Sequence, residues 1–415
     1  MSTDLRNAVV VGGNRTPFAR TGTAYADVST QELLTAAING LVARFALTGE
    51  KIDEVAAGAV LKHARDFNLT RECVLSSGLD PHTPAVDLQQ ACATSLETFI
   101  YSANKIRLGQ ADTAIAGGVD SASDAPIAVS EGLRKILLRA SREKTTQGRL
   151  KAFAAIRPKD LQPAPPSVEE PRTHKSMGES QAETGKAYGI TREAQDELAY
   201  QSHQNLAKAW DEGFFDDLVT SFNGLTKDNV LRPDTSVEKL GKLRPAFGDT
   251  MTAGNSTNMT DGAAVVLLAD EETARARNWE PLAKFVDAQV AAVDHVNGPE
   301  LTDGLLLAPT RAIPEILERN GLSADDIDLY EIHEAFASTV LATLANLDEQ
   351  GINIPRDRIN LDGSSLAAGH PFAATGARII ASLSKRLHER GAGSRGLISV
   401  CAAGGQGVVV ILEAM

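Results

Sequence analysis

The chain is short of cysteine, of long apolar runs and of positive charge, and each shortage excludes something. Three cysteines, Cys73, Cys92 and Cys401, are scattered over 415 residues, too few and too far apart for a disulfide framework or a zinc site. A reducing compartment follows, in which a thiol is kept either as a small buried hydrophobe or as a reactive group. Apolar stretches such as AAVVLLA at 263–269 and VVVIL at 408–412 fall well below the roughly 18 residues that cross a bilayer. The opening MSTDLRNAVVVGG runs almost at once into a strand-like segment, with no charged region followed by a long apolar one, so no export is indicated and a soluble, cytoplasmic protein is expected. Lys and Arg number 41 against 54 Asp and Glu, a net charge of −13, which sets the molecule as a whole against nucleic acid and anionic membranes.

What is present is 43% apolar residues and 34 glycines spread along the chain, the composition of a globular protein with a large core. At roughly 100–200 residues per domain this length predicts two or three domains. Short β-branched runs at 8–12, 55–60, 84–88 and 113–119 alternate with helical periodicity at 29–47 and 94–108, the pattern of a layered α/β domain. From Asp120 to about Thr252 strand signals thin out, a Pro-rich piece spans 161–171, and a helix is expected over 191–210. Alternation then resumes to the C-terminus, with strands expected near 263–269, 282–290, 327–332, 396–400 and 407–413, and helices over 309–320, 335–347 and 375–389.

The two α/β parts echo each other. Cys92 precedes a helix, then a strand that ends in Gly117-Gly118; His370 precedes a helix, then a strand that leads to Gly404-Gly405. If the halves pack with pseudo-twofold symmetry, the N-termini of these two helices converge and offer free N–H groups to one pocket.

Cys92, between a strand and a first helical turn, is placed as a nucleophile is, with the helix N-terminus expected to lower its pKa; the alternative is a small buried hydrophobe. Cys73, among helix residues, reads as core. His370, between Gly369 and Pro371, displays an imidazole able to exchange a proton with a thiol near neutrality. Cys401 ends a strand before the turn Gly404, Gly405, Gly407, whose backbone N–H groups suit an oxyanion. HEAFA at 333–337 is expected to open a helix with His333, either polarising a carbonyl oxygen or facing solvent. Residues 134–159 carry nine basic side chains against Glu143 alone, with apolar positions at helical spacing, and read as an amphipathic basic face.

The set CATS around Cys92, MGES at 177–180, GNSTNMTDGAA at 254–264, HEAFA at 333–337, GHPFAATG at 369–376 and CAAGGQG at 401–407 resembles the thiolases, in order and separation along essentially the whole chain. HEAFA in place of the commoner NEAFA narrows the likeness to the β-subunit of the fatty-acid β-oxidation (trifunctional) complex. The resemblance implies a thiolase fold, two pseudo-twofold βαβαβαββ halves in five layers, α-β-α-β-α. Its parts would be an N-terminal half (1–121 with 253–275), an inserted loop or lid domain (122–252) and a C-terminal half (276–415). It implies a degradative 3-ketoacyl-CoA thiolase, with Cys92 acylated, His370 as base, Cys401 as second acid and base, and His333 with His370 on the thioester oxygen. The N–H groups of Cys92 and Ala403 would hold the oxyanion, with Thr257 and Met177 touching substrate. His333, in place of Asn, would make oxyanion binding sensitive to pH. CoA enters as substrate, and no cofactor or metal is implied. A homodimer or a dimer of dimers is implied, while the basic stretch 134–159 stays open to attraction of the CoA phosphates, docking of a hydratase/dehydrogenase α-subunit, or contact with an anionic membrane surface. The rivals are a biosynthetic acetoacetyl-CoA thiolase, a decarboxylating condensing enzyme, which Cys401 argues against, and a thiolase-like protein that binds acyl-CoA without turnover.

Overall fold

The computed structural model describes residues 5–415. Strand Ala8–Arg15 is followed by helix Thr30–Arg44, strand Glu54–Ala57, helix Leu69–Ser76, strand Ala85–Asp87, helix Thr94–Arg107, and strands Thr113–Ser121 and Thr260–Asp270. The second half runs through strand Ala283–Ala292, helix Pro309–Arg319, strand Leu329–Ile332, helix Ala337–Glu349, helix Thr375–Arg390, and strands Arg395–Ala402 and Gln406–Ala414. Its third strand has shrunk to Ile359, bridged in parallel to Tyr330.

Pairing repeats as faithfully as order. Numbered within each half, the strands lie 1-5-4-2-3 across the sheet in both. The first two contacts of each are antiparallel and the last two parallel. Even the irregularities coincide: the register slips past Val11 in the first strand of one half and past Val286 in the first strand of the other. Each such bulge adds an unpaired residue and extra twist. The two first strands meet antiparallel, Val9 opposite Lys284 and Val10 opposite Ala283, which joins ten strands into one sheet and relates the halves by a pseudo-twofold axis.

Successive strand residues face opposite ways, and here both ways are covered. Val408, Val410 and Leu412 join Val10, Val266 and Leu268 in a central core, filled by helices Thr94–Arg107 and Thr375–Arg390. Their neighbours Val9, Val265 and Leu267 face the outer helices Thr30–Arg44 and Leu69–Ser76, while Val409 and Ile411 face Pro309–Arg319 and Ala337–Glu349. Burial on both faces is why these strands are near-continuous apolar runs. The layers are therefore α-β-α-β-α.

The halves differ most at one link. Where the second half turns through Ala403, Gly404 and Gly405 between its last strands, the first half leaves the sheet at Ser121 and returns at Thr260. The excursion holds helices Glu131–Arg142, Thr146–Phe153, Met177–Ala187, Arg192–Asp211 and Val237–Gly241, and only short ribbons of two or three residues. It is fastened by a buried ion pair, Arg15 to Asp228 at 2.6 and 2.8 Å, whose carboxylate also accepts from the Phe18 N–H at 2.7 Å and from Trp210 Nε1 at 3.3 Å. The basic stretch 134–159 forms two helices rather than one face, broken where Glu143 ends the first and Thr145 caps the second. Leu137, Leu138, Leu150 and Phe153 on it are exposed.

Candidate active site

The first turns of the two central helices touch. The Ala377 N–H donates to Ser95 Oγ at 2.8 Å, and a Cβ on Gly376 would lie 2.5 Å from the Leu96 nitrogen, so only glycine admits this approach. Cys92 therefore stands beside the approach to the second helix. Its turn is tight: Ala91 has φ +46°, a left-handed conformation costly for a residue with a Cβ. Thr94 closes it, its Oγ1 donating to the Ala91 carbonyl at 2.7 Å and accepting from the Gln90 N–H at 2.9 Å. Gln90 Nε2 also reaches Gln406 Oε1 at 2.9 Å, which ties the Cys92 turn to the strand that follows Cys401.

Cys401 is buried at the end of strand Arg395–Ala402. The turn after it passes through Gly404 at φ +80° and Gly405 at φ +70°, and the Gly404 N–H donates to the buried carboxylate of Glu170 at 2.9 Å. Consecutive N–H groups in such a turn form an anion-binding concavity. The Ala403 N–H and the Cys92 N–H both favour the ionised form of the Cys92 sulfur.

His370 follows Gly369, whose φ of +94° excludes a side chain. Its loop is anchored to the first half through the Ala373 N–H, which donates at 2.7 Å to Asp120, a buried carboxylate that also accepts from Val60 and Leu61. His333 lies against it, with ring centroids 4.2 Å apart. His333 does not open a helix: it prolongs strand Leu329–Ile332, its N–H donating to the Ser399 carbonyl at 2.8 Å, and the helix starts only at Ala337. The reason lies next to it. The buried Glu334 carboxylate accepts from Ser202 Oγ at 2.7 Å, Asn360 Nδ2 at 2.8 Å and the Leu366 N–H at 3.1 Å, contacts that hold the segment extended against its helical propensity.

Burial decides the charge states. Desolvation pushes the Cys92 thiol up to about 12, against the pull of the Ala403 and Cys92 N–H groups, so the expected lowering by the helix N-terminus is overridden. Cys401 is also raised, by desolvation and then by Cys92 beside it. His370 falls to about 3 through desolvation and the nearby Arg378, and His333 drops well below 6.5 through desolvation, His370 and Arg378. The expectations that His370 titrates near neutrality and that His333 brings pH sensitivity are thus corrected: in the resting site both imidazoles and both thiols are neutral.

Thr257 Oγ1 donates to the Ser365 carbonyl at 2.9 Å. Met177, at the start of its helix, packs against an apolar cluster that holds Met251, Leu305, Leu306, Phe336 and Cys401. Cys73 is a buried core thiol raised to about 12 by desolvation. Ser365, Arg378, Thr375 and Glu170 were not singled out from the sequence; GSSL before GHP, and an Arg in the otherwise apolar turns of helix Thr375–Arg390, were the available signals. Among the described residues no group of His, Cys, Asp or Glu is arranged to hold a metal, and no helix is long and apolar enough to cross a membrane.

Two thiols and two neutral imidazoles on the segments that join two duplicated α/β halves are groups suited to acyl transfer, and they point to that class of enzyme. Residues 8–272 match the family "Thiolase, N-terminal domain" and residues 279–414 "Thiolase, C-terminal domain"; the chain belongs to the thiolase family. It is 38% identical to a 3-ketoacyl-CoA thiolase of Escherichia coli, over 98% of this chain and 96% of that one. It is also 38% identical to the mitochondrial trifunctional enzyme subunit beta of Bos taurus, over 99% of this chain and 89% of the other. Among solved structures, human mitochondrial 3-ketoacyl-CoA thiolase in complex with CoA superposes with a TM-score of 0.82 at 28% identity, covering 99% of this chain and 98% of that one. The Bacillus anthracis acetyl-CoA acetyltransferase gives 0.83 at 30% identity, covering both chains fully.

Proposed function

We propose that the chain is a degradative 3-ketoacyl-CoA thiolase, an acetyl-CoA C-acyltransferase. What supports this is a pair of thiols, Cys92 and Cys401, and a pair of stacked imidazoles, His333 and His370, on the segments around the helix junction, in a chain 38% identical over nearly its full length to proteins named for that activity. As Cys92 Sγ bonds to C3 of a 3-oxoacyl-CoA, its proton passes to His370 Nε2, and the oxyanion meets the Cys92 and Ala403 N–H groups. The C2–C3 bond then breaks, and Cys401 gives its proton to C2 of the acetyl-CoA enolate, whose oxygen lies against His333 and His370. Cys401, now a thiolate, takes the proton of an incoming CoA thiol. The CoA sulfur attacks the thioester on Cys92 and releases the shortened acyl-CoA, and His370 returns its proton to the departing Cys92 sulfur. CoA is a substrate throughout, and these steps use no cofactor or metal. Thr257 and Met177 are assigned to substrate contact and the chain to a homodimer. The basic helices within 134–159 are assigned to contact beyond the catalytic body, with a hydratase/dehydrogenase α-subunit or an anionic membrane surface.

The test is CoA-dependent thiolysis of 3-oxoacyl-CoA of graded chain length, with mass spectrometry for an acyl adduct. Cleavage of medium or long chains, an adduct on Cys92, and losses of about 10³-fold or more in Cys92→Ser, His370→Ala and Cys401→Ala are expected. Turnover confined to acetoacetyl-CoA moves the assignment to the biosynthetic reaction, and intact CoA binding without turnover makes the chain a binding protein. Sedimentation with anionic vesicles, set against pull-down with an α-subunit, separates the two contacts for 134–159.

A further inference from the structure

His333 and His370 present the same atom to the site. In both, Nε2 is buried without a protein partner while Nδ1 is engaged behind the ring. A neutral imidazole carries its proton on one nitrogen only, and the hydrogen bond at the other nitrogen decides which. What stands behind the two rings differs.

Behind His333 is Ser365, whose Oγ lies 2.9 Å from Nδ1. Behind Ser365 is Arg378, fully enclosed in the core, whose Nη2 donates to Ser364 Oγ at 3.1 Å and to Ser365 Oγ at 3.3 Å. A guanidinium has no acceptor, so Ser365 Oγ must accept from it. Among the described residues the one acceptor facing the remaining Ser365 proton is His333 Nδ1. With the proton there instead on Nδ1, the hydroxyl would accept twice and its own hydrogen would point at nothing. The Ser365 backbone is pinned by the Thr257 hydroxyl on its carbonyl at 2.9 Å, so the serine does not turn away. Behind His370 is Thr375, whose Oγ1 donates to the Pro371 carbonyl at 3.3 Å and lies 2.6 Å from Nδ1. With its hydrogen directed at Pro371, that oxygen accepts from Nδ1.

We propose that Arg378 and Ser365 hold His333 as the Nε2–H tautomer while Thr375 holds His370 as the Nδ1–H tautomer, so that one ring donates into the site and the other offers a base. This rests on the thiolase reading of the site and adds to it how two adjacent imidazoles are kept from exchanging roles. His370 can take the Cys92 proton only with Nε2 free. His333 can bind a negative thioester oxygen only with Nε2 protonated, and a lone pair there would repel it. Charging His333 to secure the donor is opposed by burial and by the cation of Arg378. Ser365 and Arg378 are thus positioning residues, acting through His333.

Nitrogen NMR of protein labelled with [¹⁵N]histidine reads the tautomers directly, with the His333 resonances identified by their loss in His333→Asn. A pyrrole-type Nε2 and pyridine-type Nδ1 in His333, and the reverse in His370, are expected; a protonated Nδ1 in His333 overturns the proposal. Kinetics supply a second arm. Ser365→Ala is expected to lower kcat by about tenfold or more, in the range of losing an oxyanion donor, with little change in KM, and Ser365→Thr to restore it. An amide donates without choosing a tautomer, so in a His333→Asn background Ser365→Ala should cost less than about twofold. An equal loss in both backgrounds assigns Ser365 a structural role and overturns the proposal. Should Ser365→Ala fail to fold, the wild-type spectrum still decides. Absence of thiolysis by the wild type would sink the functional reading while leaving the tautomers measurable, which keeps the two failures apart.

Discussion

At the scale of single residues the site stores no charge. With the Cys92 thiol pushed up to about 12 and the His370 imidazole lowered to about 3, both groups rest neutral, and in the proposed reaction the proton moves only during attack. Below its pKa a thiol's ionised fraction rises tenfold per pH unit, so inactivation of the free enzyme by iodoacetamide at Cys92 should climb about tenfold per unit from about pH 7 to 10 without levelling. A plateau near neutrality would show a preformed thiolate and imidazolium instead. The left-handed Ala91 belongs to the same scale. Ala91→Gly removes strain of about 1 kcal/mol, so thermal melts should show equal or higher stability while slower turnover reports a less fixed Cys92.

Between elements, the decisive contacts are those that lock one half to the other near the chemistry. Gly376→Ala drives a Cβ into the Leu96 backbone at 2.5 Å, where neither helix can yield. Denaturant unfolding should show a loss of about 2 kcal/mol or more, with kcat falling because the segments that hold Cys92 and His370 lead directly into those two helices. Asp120 gathers N–H groups of Val60 and Leu61 from one half and Ala373 from the other. Asp120→Ala leaves these donors buried and unpaired, and a destabilisation of about 3 kcal/mol is expected in the same measurement. The effect on activity should run through the His370 loop and appear in kcat before KM.

For the whole molecule, duplication is the organising fact: one strand order, one pairing pattern and one bulge position used twice, with a single link expanded from a three-residue turn into the excursion between Ser121 and Thr260. That excursion hangs on the buried Arg15 and Asp228 pair, whose side chains are 4% and 0% exposed. Removing one partner leaves the other charge buried alone, so Asp228→Ala should cost about 3–5 kcal/mol. Limited proteolysis should then cut first within 122–259 rather than in the sheet; cleavage spread evenly would show that the excursion and the halves unfold as one unit.

The sequence alone determined the order of elements, because strands buried on both faces must be apolar throughout and helices covering them must be apolar on a stripe, and both patterns survive in one dimension. It also singled out the residues to which the chemistry is assigned, since CATS, HEAFA, GHPFAATG and CAAGGQG keep reactive side chains beside the glycines and turns that display them. The structure decided what depends on neighbours distant in the chain. HEAFA looks like a helix start and is held extended by Glu334 bonding to Ser202 and Asn360. A thiol before a helix looks activated and is instead raised, because the dipole acts locally while desolvation sums over everything packed around it. Ser365, Thr375 and Arg378 gain meaning only from what they face, and a hydrogen bond's direction is set by the whole set of donors and acceptors that folding brings together.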